Sequence, residues 1–358
     1  MLSGLSAAYD VRGVEYFVPF GVVSFSELNL ANLRIKNIHL VPIPMSTINK
    51  KLKSNCTVLL ATYNGSSWLR PQLDSIFLQN KVNISVVVSD DHSVDETQSI
   101  IADYEKKYVG RLYALGQNVA RMGSACKNFL RLIREADVGN AEFVAFADQD
   151  DIWYSNKISN AIDSLKCQSA QGYSSCVMAF WPDGKEKFVN KAQKQKKMDY
   201  LFASPGPGCT FVLERETYDE LKAWVIDKKI ELEDVWFHDW LIYAFVRARG
   251  NKWVVDPAVS MRYRQHYSNE IGVNSGIKAV FRRLNFIRDG RYIDEVTRIS
   301  NLFPNESAIE LRLKRLNLTD RLYLVLHSYQ YRRRLQDVLL LCIIFLYARC
   351  FDKKWEKM

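Results

Sequence analysis

The reading turns on CTVLLATYNGSSWLRPQLDSIF, residues 56–77, followed by ISVVVSDDHSVDET, residues 84–97. Thr57–Ala61 is a short apolar run ending in Thr62-Tyr63-Asn64-Gly65, which reads as a buried strand stopping at a turn. Leu69, Leu73, Ile76 and Phe77 then recur at i, i+4, i+7 and i+8, one apolar face of a helix. A second strand, Ile84–Ser89, carries Val86, Val87 and Val88 in succession, as a strand covered on both faces does. Ser93 followed by Glu96 predicts a capping box opening a helix over 94–107. Working outward, the pattern predicts a short strand at 111–115, a helix near 124–136 and a strand at Phe143–Ala147. A further helix has Ile158, Ala161, Ile162 and Leu165 on one side. Strands alternating with helices define an α/β fold with a mostly parallel central sheet flanked by helices. Ligands of such sheets sit at the carboxyl ends of the strands.

The whole chain has 358 residues, 48% hydrophobic and 25% charged, a composition that excludes a disordered or fibrous protein. Its formal charge of +9 invites a nucleic-acid partner, but the excess is unevenly placed. Residues 1–44 are neutral, residues 45–276 carry +1 and residues 277–358 carry +8. With no reader motif in the chain, no nucleic-acid partner is expected. Seven cysteines without a CxxC or zinc spacing fit reduced thiols in the cytoplasm rather than a disulfide framework. The longest apolar run, Val338–Ala348, falls well short of the roughly 20 residues of a spanning helix. No secretory leader is evident at the N-terminus.

Residues 1–44 lack a helical or strand period and end in Val41-Pro42-Ile43-Pro44. They are expected to form a poorly ordered extension, with Met45 opening the functional domain over 45–276 and a basic helical region over 277–358.

Three acidic groups follow apolar segments or open a helix. They are Asp90-Asp91 with Asp95 beyond, Asp148-Gln149-Asp150-Asp151 ahead of Ile152-Trp153, and His238-Asp239-Trp240. Bunched carboxylates repel one another and are costly to desolvate, so a cation or a hydrogen-bonding ligand must offset them. An Asp-x-Asp at a strand end can present both carboxylates to a divalent ion, and hard oxygen ligands suit Mg²⁺ or Mn²⁺.

The strings VLLATYNGSSWLRPQLDSIFLQ, VVVSDDHSVDET and FADQDDIWYSNK resemble the inverting family 2 glycosyltransferases of GT-A, Rossmann-like fold. GPGCTFVL, HDWLIYAFVRARG and YRQHYSNEIG are similar to bacterial rhamnosyltransferase-type members, and the resemblance spans about 56–276. It implies a nucleotide-diphosphate sugar donor, with dTDP-rhamnose first and a UDP-hexose second. Tyr63 would offer a face to the base, Asp91 a carboxylate to a base N–H, and Thr62 and Asn64 would line the same turn. Asp148 and Asp150 would hold the metal on the diphosphate, Asp148 contacting ribose or metal through water. Asp239 would be the general base that deprotonates the acceptor hydroxyl. His266 would complete the metal site or touch the diphosphate, and Arg264 would balance the leaving group. Gly208, in Gly206-Pro207-Gly208, would let backbone approach the sugar, while Trp153 packs under the metal loop. Lys127 and Asn128 begin a helix that either faces phosphates or is plainly capped. Two positions depart from the family: His92 stands where Gly is usual, and Asn118-Val119-Ala120 replaces Asn-x-Gly.

In the basic region, Arg332-Arg333-Arg334 precedes the apolar run and Lys353-Lys354 follows it. That arrangement suits peripheral contact of residues 332–358 with an anionic membrane, near a lipid-linked saccharide acceptor at the inner face of the bacterial cytoplasmic membrane. The alternative is a helix pair packed on the catalytic domain. Rival functions are a nucleotidyltransferase, a non-catalytic glycosyltransferase-like scaffold and a basic nucleic-acid-binding protein.

Overall fold

A nine-stranded sheet organises the chain, in the order β5-β4-β3-β6-β10-β8-β11-β7 with β9 paired to β8. The computed structural model describes residues 53–117, 120–266, 287, 289–304 and 308–347, together with the backbone of residues 9–10 and 15–16. Two short strands, β1 (Tyr9–Asp10) and β2 (Glu15–Tyr16), pair antiparallel within a separate unit spanning Met1–Leu52. The rest of the expected extension, residues 1–44, lies outside the described residues.

The predicted alternation is present. β3 (Ser54–Thr62), α1 (Leu69–Phe77), β4 (Val82–Asp90), α2 (Thr97–Lys107), β5 (Leu112–Ala114), α3 (Ala125–Glu135) and β6 (Phe143–Ala147) follow in order. β5, β4, β3 and β6 are mutually parallel. The apolar residues of β4, β3 and β6 are buried on both faces, as the valine run required, while the edge strand β5 exposes Tyr113 and Ala114. One helix boundary differs from expectation. Glu96 stands at the N-cap of α2 and makes no capping bond with its side chain. Instead Asp95 accepts from the Thr97 amide at 3.0 Å and from the Ser66 amide at 3.0 Å. Ser93 is occupied elsewhere, bonded to Asp90 and accepting from the Asn64 amide, so the Ser93/Glu96 box does not form.

The chain then turns through β7 (Ile152–Trp153), α4 (Lys157–Gln168), β8 (Gly172–Phe180), β9 (Glu186–Val189) and β10 (Val212–Glu214). α5 (Arg215–Asp227), α6 (His238–Ala248) and β11 (Trp253–Arg264) complete the sheet and its helices. β10 runs antiparallel between β6 and β8, while β8 and β11 are parallel. Leu69, Ile76, Ile100, Ile158 and Leu165 from α1, α2 and α4 build one apolar core against the sheet. Phe129, Leu132, Tyr218, Leu221 and Phe245 from α3, α5 and α6 build the other.

The C-terminal segment is helical as expected: α7 (Arg291–Leu302), α8 (Ile309–Arg315), α9 (Leu318–His327) and α10 (Leu335–Tyr347). Its Ile299, Leu313, Leu324 and Phe345 join the same core as α6, and Phe202 stacks on Tyr331 at 4.3 Å. The described residues from Lys53 onward form one compact unit. Among the described residues, no helix is long and apolar enough to cross a membrane.

Arg332 and Arg333 of the triplet turn inward, whereas Arg334 is exposed. Arg332 donates to the Phe202 carbonyl at 2.7 Å. Arg333 pairs with buried Asp199 at 3.1 Å and donates to the Ser204 carbonyl at 2.5 Å. Arg334 donates to the Asn190 carbonyl. A guanidinium bonded to internal carbonyls and a buried acid stays where those partners hold it.

Candidate active site

Register places the chemistry. Thr62 lies opposite Asp90 in the β3–β4 ladder, and Leu60 lies opposite Ala147 in the β3–β6 ladder. The turns carrying Tyr63, Asp91 and Asp148 therefore leave the sheet side by side. Asp148–Asp151 spans the gap from β6 to β7, and β7 pairs antiparallel with β11 through Trp153 and Met261. That pairing carries the end of β11 back to the acidic loop. His266 Nε2 consequently lies 2.7 Å from Asp150 Oδ2, and the imidazole stacks on Trp68 at 3.9 Å.

A cavity of about 790 Å³ opens at these strand ends. Its walls include Thr62, Tyr63, Asp91, Asp148, Asp150, Gly208, Asp239 and His266. Asn64 and Arg264 are not among its lining residues. Asn64 adopts a left-handed turn and accepts from the Val94 amide at 2.9 Å. Arg264 braces the acidic loop, its Nε donating to the Asp150 carbonyl at 2.7 Å and its amide to Asp151 Oδ1 at 3.0 Å. Lys127 is exposed, and Ser124 caps α3 by accepting from its amide at 3.3 Å. Asn128 is buried, bonding the Thr62 and Ser89 carbonyls. Trp153 is buried, with Lys157 Nζ 4.0 Å from its ring.

Several contacts had no visible signal in the sequence. Gln149 Oε1 accepts from Thr62 Oγ1 at 2.6 Å and the Tyr63 amide at 2.9 Å, stapling the first turn to the acidic loop. A Cβ on Gly65 would fall 2.2 Å from that Gln149 oxygen, so the staple needs glycine there. Arg121 lies 3.7 Å over the Tyr63 ring and 3.7 Å from Asp91. Asp91 accepts from the Met122 and Gly123 amides at 2.6 and 2.9 Å. His92 takes φ +59°, the region a glycine adopts most readily, which explains the departure as strain accepted by the loop. Asn118 and Val119 lie outside the described residues.

The electrostatics separate the acids by role. Burial pushes the Asp151 carboxyl well up, and the neighbouring Asp150 and Asp148 push it further. Asp148, Asp151 and Cys209 bring their ligand atoms within 4.8 Å of one another. Burial also raises the Cys209 thiol, so it stays protonated and unsuited to a hard cation. An ion reached from the cavity would instead meet Asp148, Asp150 and His266, an oxygen-rich set that fits Mg²⁺ or Mn²⁺. Burial raises Asp239 too, against the opposing pull of the Trp240 amide, Ser204 and Lys191. A Cβ on Gly208 would come within 2.5 Å of His238 Nε2 and 3.2 Å of the Asp239 Cβ. Glycine therefore lets that loop lie directly against the Asp239 helix start.

A sheet with nucleotide-sized space and paired carboxylates at its strand ends is the architecture of a sugar-nucleotide transferase. Residues 57–221 match glycosyl transferase family 2. The chain is 40% identical over 287 residues to the dTDP-rhamnosyl transferase RfbG of Shigella flexneri, covering 80% of this chain and 99% of that protein. It is 27% identical over 155 residues to a Campylobacter jejuni GalNAc(5)-diNAcBac-PP-undecaprenol beta-1,3-glucosyltransferase, covering 41% of this chain and 47% of that protein. The fold is similar to S. aureus TarS in complex with UDP-GlcNAc, with TM-score 0.53 and 16% identity over 83% of this chain and 88% of TarS. The chain belongs to glycosyl transferase family 2.

Proposed function

We propose that the protein moves rhamnose from dTDP-rhamnose, with inversion, onto a hydroxyl of a growing lipid-linked cell-surface polysaccharide. The observation that supports this most directly is the placement of Asp239 in the same cavity as Asp148 and Asp150. Likeness to a dTDP-rhamnosyl transferase over most of both chains supports the donor. Tyr63 and Asp91 receive the base beside Arg121, which lies over the Tyr63 ring. Thr62 and Asn64 shape that turn. Asp148, Asp150 and His266 would hold the divalent ion, which would offset charge on the departing diphosphate. Arg264 keeps the acidic loop in place from behind.

Asp239 accepts the acceptor hydroxyl's proton as that oxygen bonds to the anomeric carbon and the carbon–phosphate oxygen bond breaks. The raised basicity of a buried carboxylate suits this task. Gly208 keeps the loop close enough for the sugar to reach it. We further infer peripheral contact between the C-terminal region and an anionic membrane surface on the cytoplasmic side. With Arg332 and Arg333 turned inward, exposed Arg334 and the exposed apolar residues of α9 and α10 are left to make that contact.

Asp239→Asn is expected to lower transfer by about 10²–10⁴-fold while leaving the affinity for dTDP, measured by calorimetry, unchanged. Full transfer activity in the variant would remove the assignment.

A further inference from the structure

Asp151 is fully buried and, unlike Asp148 and Asp150 beside it, does not line the cavity. Its Oδ1 accepts from the Arg264 amide at the end of β11, at 3.0 Å. We propose that Asp151 is a positioning residue rather than a metal ligand, fixing the end of β11 so that His266 reaches the ion site. The proposal rests on the transfer reading above and adds a residue behind the metal site of that reading.

The strand register shows what this carboxylate replaces. β7 and β11 pair through Trp153 with Met261 and through Ile152 with Arg262, and the Tyr154 amide bonds the Ser260 carbonyl at 3.1 Å. Hydrogen-bonded pairs alternate with non-bonded ones along an antiparallel ladder. Tyr154 with Ser260 is a bonded pair, so Ile152 with Arg262 is the next, and Asp150 with Arg264 would follow. At that rung the Arg264 amide is taken by Asp151 Oδ1, and the Asp150 carbonyl by Arg264 Nε at 2.7 Å. Two side chains stand in for the main-chain rung. The acidic loop can then leave the ladder and bring Asp150 to the cavity wall while β11 keeps its place.

His266 lies two residues beyond this rung. On the β8 side the Gln265 amide bonds the Phe180 carbonyl at 2.9 Å, which fixes the strand end along the sheet. The Asp151 bond fixes it toward the acidic loop. Between these two ties the His266 imidazole is delivered to Asp150, with Nε2 2.7 Å from Oδ2 and the ring stacked on Trp68 at 3.9 Å. A displaced Arg264 backbone would carry His266 away from Asp150. Partners one bond behind a metal ligand typically alter metal affinity by about 10–100-fold when they are removed.

The test follows Mn²⁺ binding to the full chain with saturating dTDP by electron paramagnetic resonance, in which the signal of free aqueous Mn²⁺ falls as the ion binds. Asp151→Asn keeps an acceptor oxygen for the Arg264 amide and should bind Mn²⁺ within about threefold of the wild type. Asp151→Ala removes it and should weaken Mn²⁺ at least about tenfold. Because Asp151 acts through His266, the two losses should not add. Asp151→Ala combined with His266→Ala should stay within about threefold of His266→Ala alone. Excess Mn²⁺ should restore the thermal shift that dTDP gives Asp151→Ala, showing that variant to be folded. If it does not melt cooperatively, Asp151→Ser, whose hydroxyl stops one bond short, takes its place. Loss of the ion in Asp151→Asn as large as in Asp151→Ala would make the carboxylate a ligand. Undiminished affinity in Asp151→Ala, or full additivity with His266→Ala, would leave it no positioning role. Each of these ends the proposal with the transferase reading intact. Failure of the wild type to bind Mn²⁺ with dTDP would end the metal site of that reading, and the proposal with it.

Discussion

The carboxyl group of Asp239 is surrounded by its own helix start, the Gly208 loop and Lys191, and burial lifts its pKa above the ordinary carboxylate value. A base must be deprotonated to accept a proton, so the rate falls as pH drops through that raised pKa. The acid limb of the kcat/KM profile should therefore lie above the ordinary Asp value of about 3.9. His238 next to it does not produce that limb, because burial lowers its pKa to about 3 and leaves it neutral. A profile flat down to pH 4 would contradict the role of Asp239. Asp148 and Asp150 were legible in the sequence because clustered acids are conspicuous against an apolar run, whereas Asp239, a single acid between His238 and Trp240, was singled out as a base through the family resemblance. Gln149, Arg121 and Lys191 were not, since a lone polar residue has no pattern until its partner is known.

At the scale of elements, α9 and α10 show how burial reassigns a motif. The run at Val338–Tyr347 has one side in the core through Leu341, Ile344 and Phe345. Its other side leaves Leu339 and Ile343 58% and 55% exposed, and Leu318, Leu322 and Leu326 of α9 are exposed as well. Apolar faces of this kind beside basic residues insert shallowly into lipid surfaces. Replacing Leu322, Leu339 and Ile343 together by Ser should reduce co-sedimentation with anionic liposomes and leave dTDP binding intact. Unchanged sedimentation would remove the membrane contact. Deleting residues 332–358 would be a poor substitute, because it strips Phe345 from the core and Arg333 from Asp199. That α10 is an apolar helix was readable in advance; which of its sides is buried was set by packing against α9 and Phe202.

Across the whole molecule, the basic excess of residues 277–358 and the acids of the sheet meet in one cavity through Arg334. Metal dependence belongs to this scale, since the proposed ligands come from β6 and from the end of β11, over 100 residues apart. Chelation with EDTA is expected to weaken dTDP binding and remove its thermal stabilisation. Asp150→Ala should abolish the difference that Mg²⁺ makes. A thermal shift with dTDP that ignores both changes would exclude Asp150 as a ligand.

The alternating strands and helices from Thr57 to Leu165, and the acids at their ends, follow from the sequence alone. Hydrophobic periodicity is local, and turns place polar residues where strands stop. The tertiary structure alone decided that His266 meets Asp150, that Arg333 turns inward to Asp199, and that Arg334 reaches the cavity. Those contacts join residues more than 100 positions apart. They depend on strand register and on which helix face the core covers, and neither is encoded in any short stretch of chain.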